Sequence, residues 1–389
     1  MTTRDIYRGL VAAAGALSAM AGTAVAGLLL LDADRAGRLG RLTAAVVAMA
    51  AGGPATIDAV PAGGLPIAVQ GQFKVMPLGV SLVGAVVLGT LLLRHGRSGL
   101  LVRGISAVVA FTAGVGVVAM AARGRLTLPS GSARAAADGM GACAAGTGTP
   151  LNGALPIDQF QAGFSVSTGS TVAGAAVGAL AVVGLCWLTA RFSAIAGTLR
   201  AARWTIAGAT VVCVLAAWAW VGPQVAGGLL LVLPLVVSGA LLHGLGVPWS
   251  FSADGVLACV LDGGWSPPGR GAPAVLSAVV LLACGIAVAV AARTGRDRAC
   301  GPLRRAAGLA VRLGPVVAAV LVLLTLLSRV SAELGVRAFV LAVPILDVRL
   351  TANPWGALGL GLGAGAIAGF AGSLLVDAFR RRTSVGRRP

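Results

Sequence analysis

The residues that could do chemistry are few. Lys74 is the only lysine, and no GxxxxGK run stands near it, so the chain has no phosphate-cradling loop of that type. GxSxG and HExxH are also missing from the sequence. His95 lies in RHGR, a solvated loop by composition. His243 lies in LLHGLGVPW, where a buried, hydrogen-bonded histidine is the first reading and a ligand or proton relay the second. Two histidines with no cysteine or acid at ligand spacing do not make a metal site. No cofactor is expected and the chain reads as a non-enzyme. The candidate functional positions are therefore His243 and Pro234, a proline inside the apolar run Val225–Val247. Cys143 and Cys259 are the candidates for a disulfide, since both fall on the expected outer side.

The segments around these residues read as membrane helices. The chain is 57% apolar and 11% charged, with mean hydropathy +0.93. A soluble domain carries about a quarter charged residues. Forty-two charged residues over 389 cannot coat a soluble surface of that size. Eight apolar segments approach the roughly 20 residues that cross a bilayer. They are Gly9–Leu31, Val75–Leu93, Gly104–Ala122, Gly169–Ala190, Trp204–Val221, Gly271–Ala292, Leu313–Ser328 and Trp355–Val376. All eight are free of charge. The seventh is short, and Ala306–Val311 can extend it if Arg312 snorkels. Residues 42–53 and 225–247 are read as short interfacial or re-entrant helices, the second kinked by Pro234.

Charge sets the orientation. With the N-terminus inside, nineteen arginines and three acids fall inside, against ten arginines, Lys74 and nine acids outside. The positive-inside rule then places both termini in the cytoplasm of a plasma-membrane protein. The formal charge of +18 follows from these loops, and no nucleic-acid partner is expected.

The expected architecture is an all-α integral membrane bundle of about eight spans plus two short helices. Residues 1–200 and 201–377 share one order of segments, a two-fold internal repeat, and 378–389 form a basic tail. Three outside loops carry Pro-Ile, at Pro66, Pro156 and Pro344, followed by an extended stretch and then a span. In the second, Phe160, Ala162, Phe164 and Val166 alternate with other residues, and Val348 and Leu350 do so in the third. Period-two alternation predicts short strands, hence outside loops with β character. Gly361, Gly365 and Gly369, and Gly174 and Gly178, stand four apart, a pattern that lets helices approach closely in lipid. The expected partners are the bilayer and other membrane helices on those glycine faces.

AMAGTAVAGLLLLDADRAGRLGRLTAAVVAMAAGG (residues 19–53), PLGVSLVGAVVLG (77–89) and LGVPW (245–249) resemble the streptophobe family, very hydrophobic multi-pass proteins of filamentous actinobacteria. The resemblance covers the first 95 residues and, more loosely, 225–250. It implies a membrane protein and brings no catalytic or binding residue with it. Two functions remain open on this reading: a non-enzymatic scaffold or partner subunit, and a transporter for a small neutral or apolar solute.

Overall fold

A computed structural model describes residues 3–33, 38–61, 67–94, 99–127, 160–191, 218–219, 222–254, 271–292, 302–328, 330–338 and 341–385. Among these residues the helices are α1 (Thr3–Leu30), α2 (Leu39–Ala50), α3 (Leu78–Leu93), α4 (Leu100–Ala121) and α5 (Thr168–Arg191). They continue with α6 (Pro223–Gly244), α7 (Gly271–Ala292), α8 (Pro302–Leu327) and α9 (Pro354–Val385). The strands are β1 (Ala55–Pro61), β2 (Ile67–Lys74), β3 (Arg123–Thr127), β4 (Phe160–Val166), β5 (Trp249–Asp254), β6 (Val330–Ala338) and β7 (Leu341–Ala352).

The fold is mostly helical and compatible with a membrane protein. Five helices are long and apolar enough to cross a bilayer: α1, α4, α5, α8 and α9. Their outward faces carry large exposed apolar side chains, such as Val177, Val311 and Ile367, a surface that lipid rather than water suits. The eight expected spans are not all recovered. Val75–Leu93 starts its helix only at Leu78, because Pro77 takes the N-cap position, which leaves 16 residues. Gly271–Ala292 is helical throughout as α7. Trp204–Val221 lies outside the described residues except at Trp218 and Ala219. Leu313–Ser328 is part of the 26-residue α8, extended through Ala306–Val311 as its sequence allows.

Helix directions follow from the contacts. Gly9 meets Ser106 and Gly114 meets Leu17, so α1 and α4 run parallel. Gly104 meets Val183, so α5 runs antiparallel to α4. Since α4 leads into β3 and α5 follows β4, α1, α4 and α8 climb toward the strands while α3, α5, α7 and α9 run away from them. The glycine series works inside the chain. A Cβ on Gly361 would lie 2.7 Å from the Ala318 Cα, on Gly365 3.0 Å from the Gly314 Cα, and on Gly369 3.2 Å from the Ala310 Cα. Two rows of small residues four apart therefore let the α8 and α9 backbones touch. Gly174 meets the end of α2, whereas Gly178 faces open space.

The β character is larger than short loops. Seven strands form one antiparallel sheet in the order β3-β4-β1-β2-β6-β7-β5, so the sheet joins the two halves of the chain. Alternation sorts its faces. Phe164, Val166 and Ile57 pack on Ala44, Ala45 and Ala48 of α2 and on Ala119 and Ala122. The opposite face carries one register row through all seven strands: Arg123, Ser165, Thr56, Gln72, Glu333, Asp347 and Asp254. It runs from basic at the β3 end to acidic at the β5 end. Pro344 sits in β7 opposite Gly335, where the register shifts, as a proline within a sheet requires.

Corresponding bonds recur in the two halves. In β1–β4 the Thr56 and Ser165 hydroxyls pair at 2.8 Å, and in β5–β7 the Ser250 and Thr351 hydroxyls pair at 2.7 Å. Ser167 N–H donates to the Pro54 carbonyl, and Asn353 N–H to that of Pro248. Helices α2 and α6 both end in a glycine at positive φ, Gly52 at 98° and Gly246 at 80°. In each case the next residue's N–H reaches back five residues, Gly53 to Ala48 and Val247 to Leu242. That is the Schellman closure, which glycine makes without a Cβ penalty.

The helix that holds the uncharged Gly104–Ala122 segment starts earlier than expected: α4 begins at Leu100 and takes in Arg103, which is 1% exposed. Its Nε lies 3.5 Å from Asp5 Oδ1 in the first turn of α1 and 3.4 Å from the Gly99 carbonyl. Gly99 has φ 73°, and a Cβ there would sit 2.8 Å from the Asp5 carboxylate. The parallel packing of α1 and α4 thus puts a buried ion pair where hydropathy shows only the edge of a basic loop.

Candidate functional site: an arginine cleft and a broken helix

Helix α2 begins without a side-chain cap. Arg38 occupies the N-cap position in an extended conformation, and the first turn carries Arg41. The helix wedges between the sheet and the bundle through its alanine face. Its open end therefore emerges beside β3, where a Cβ on Gly124 would meet the Arg41 Cδ at 3.3 Å. Arg123 is the first residue of β3, directly after α4. Together Arg38, Arg41 and Arg123 line an open trough of about 810 Å³ whose remaining walls are Asp58, Gly124, Gly163, Phe164 and Ser165.

Three guanidiniums against one carboxylate leave the lining with a formal charge of +2. Among the described residues none of the three arginines is in an ion pair or hydrogen bond through its side chain, and neither is Asp58. The other end of the sheet is the opposite case. Arg349 donates to Asp347 at 2.9 and 3.1 Å and to Glu333 at 3.4 Å. The Asp347 hydrogen bond, with the charges of Asp347 and Glu333 beside it, pushes the Arg349 pKa up. That guanidinium is neutralised by its own neighbours, and those of the cleft have no such partner among the described residues.

The sequence marked Arg38, Arg41 and Arg123 only as outer-loop charges and did not connect them. Arg41 and Arg123 stand 82 residues apart, and only the β3–β4–β1 pairing and the seat of α2 join them. The one legible sign was an arginine-rich outer loop, against the inside preference of the rest.

Helix α6 carries the two sequence candidates. Pro223–Val232 and Pro234–Gly244 meet at 68°. Proline removes the donor that would bond the carbonyl four residues earlier, that of Leu230. That carbonyl, with Leu231 O, lies over Gly79 in the first turn of α3, where any Cβ would collide with it. Both ends of α6 are on the sheet side: Gln224 donates to Asp32 just past α1 at 3.3 Å, and Val247 leads into β5. The 68° bend makes 225–247 either a broken span or a re-entrant loop, and 42–53 coincides with the short, 12-residue α2.

His243 is half-buried in the last turn of α6, where its carbonyl accepts from Gly246 at 3.0 Å as part of the helix closure. Pro234 and His243 are separated by about 14 Å of helix and form no common site. Ser277 ties the same limb to α7 through the Leu241 carbonyl at 3.3 Å. Cys143 and Cys259 lie outside the described residues. Among the described residues no three His, Cys, Asp or Glu side chains group in a way that could hold a metal ion. No protein-family model, no curated protein and no solved structure matches the chain.

Proposed function

We propose that this chain is a multi-pass protein of the plasma membrane with both termini cytoplasmic, acting as a non-enzymatic scaffold or partner subunit. The observation that carries this reading is the polar row across all seven strands. A single sheet built from both halves, with a polar row on one face and Ile57, Phe164 and Val166 packed on α2 on the other, supports a surface that is presented to a partner. Eight crossings fit the connectivity: Arg191 and Pro223 bound the expected Trp204–Val221 span and lie at opposite ends of the bundle. The repeated hydroxyl pairs, glycine closures and proline bonds support a two-fold internal repeat. The membrane reading agrees with what the streptophobe resemblance implies.

Reporter fusions after Arg97, Arg200, Arg298 and Arg388 are expected to report cytoplasm, and fusions near Gly63, Gly146 and Ala352 the outside. An outside signal at Arg388 means an odd number of crossings and removes the eight-span arrangement.

Transport of a small neutral or apolar solute is the second reading, favoured by the break at Pro234. Broken helices with freed backbone line substrate sites in many transporters. Vesicles carrying only this protein are expected to show no flux of small neutral solutes above protein-free vesicles. Saturable flux lost on mutating the Pro234 region would replace the scaffold reading with transport.

A further inference from the structure

We propose that the cleft of Arg38, Arg41 and Arg123 binds the phosphate of an anionic phospholipid in the outer leaflet, with the lipid's chains lying along α4. The chemistry points to an oxyanion. A guanidinium offers five donors in a planar fork that matches phosphate oxygens. Three of them line one trough with a single carboxylate, Asp58, which leaves the lining net positive. Arg38 and Arg41 belong to the start of α2, which has no side-chain cap.

The apolar surface below the trough identifies the source of that phosphate. Ile105, Val109, Val117 and Met120 of α4 are 59–65% exposed. They share one face, which ends one turn before Arg123. From Ile105 to Met120 is about 22 Å of helix. That is more than half of a roughly 30 Å hydrocarbon core, enough to cover the depth of one leaflet. A lipid whose chains cover this stripe has its phosphate at the level of the cleft. A free phosphate would satisfy the arginines and leave the stripe unused. The trough is open on one side, as a headgroup still attached to its chains requires. The proposal rests on the sheet lying outside, so the topology fusions test that premise separately.

The test uses the full chain purified in an uncharged detergent. Its thermal midpoint is followed while phosphatidylglycerol, phosphatidylcholine or inorganic phosphate is added. Phosphatidylglycerol is expected to raise the midpoint, and the other two are not. Each of Arg38→Gln, Arg41→Gln and Arg123→Gln is expected to raise the half-saturating phosphatidylglycerol concentration about tenfold, the loss of one charge-assisted hydrogen bond. The triple variant keeps the lipid-free midpoint, since none of the three has a protein partner to lose. Arg349→Gln, on the same sheet, binds as wild type. Equal stabilisation by phosphatidylcholine, or an unchanged half-saturation in the triple variant, overturns the proposal. Equal stabilisation by inorganic phosphate, lost in the triple variant, overturns the lipid and leaves a site for a soluble anion.

Discussion

Gly361→Val is expected to cost about 3 kcal/mol of stability, the upper range for overpacking a rigid site. A Cβ at 361 would stand 2.7 Å from the Cα and 3.1 Å from the N of Ala318. Both are backbone atoms, so no rotamer change relieves the clash and α8 itself must move. The same movement opens the contacts at Gly365 and Gly369, because the three glycines share one seam. Gly359 and Gly363 lie on the same helix with nothing within 4 Å of a Cβ. Gly363→Val removes only a helix-weakening glycine, and its effect is expected to stay within about 0.5 kcal/mol. Unfolding in mixed detergent with increasing dodecyl sulfate measures both. Equal losses at 361 and 363 would mean that α8 and α9 do not meet on this face.

Removing one partner of the Asp5–Arg103 pair is the second large effect. Asp5→Ala is expected to cost about 3 kcal/mol, because it leaves Arg103, 1% exposed, as a buried charge without its main counter-ion. Arg8, which approaches the same carboxylate at 3.9 Å, is itself a cation and offers Arg103 no replacement counter-charge. The double variant Asp5→Ala, Arg103→Met removes the charge along with its partner and is expected to recover most of the loss. The same unfolding measurement decides it. A double variant no better than Asp5→Ala would show that Arg103 is held by its packing and the Gly99 carbonyl, and not by Asp5.

Much of this arrangement is legible in local pattern. Apolar runs place α1, α4, α5, α8 and α9 because a spanning helix satisfies its own backbone and needs only length and apolar side chains. The alternation of Phe164 and Val166 marks β4, since a pleated strand turns every second side chain to the core. Pro234 marks the break in α6, because a missing N–H acts on its own helix. Gly361, Gly365 and Gly369 mark a close approach by their spacing, although not which helix approaches.

The relations between distant segments come from packing that no single stretch of the chain records. Hydropathy gives no pairing register, so it could show strands without showing that β2 meets β6 and joins the halves. It set Arg103 at the edge of a basic loop, whereas the parallel packing of α1 and α4 buries it against Asp5. It counted Arg38, Arg41 and Arg123 among outer-loop charges, while the seat of α2 under the sheet gathers them into one cleft. The physical reason is the same in each case. Burial of apolar surface is additive and local, so a window of sequence records it. An ion pair, a strand register or a shared ligand site depends on two segments arriving at one place, and neither segment records that alone.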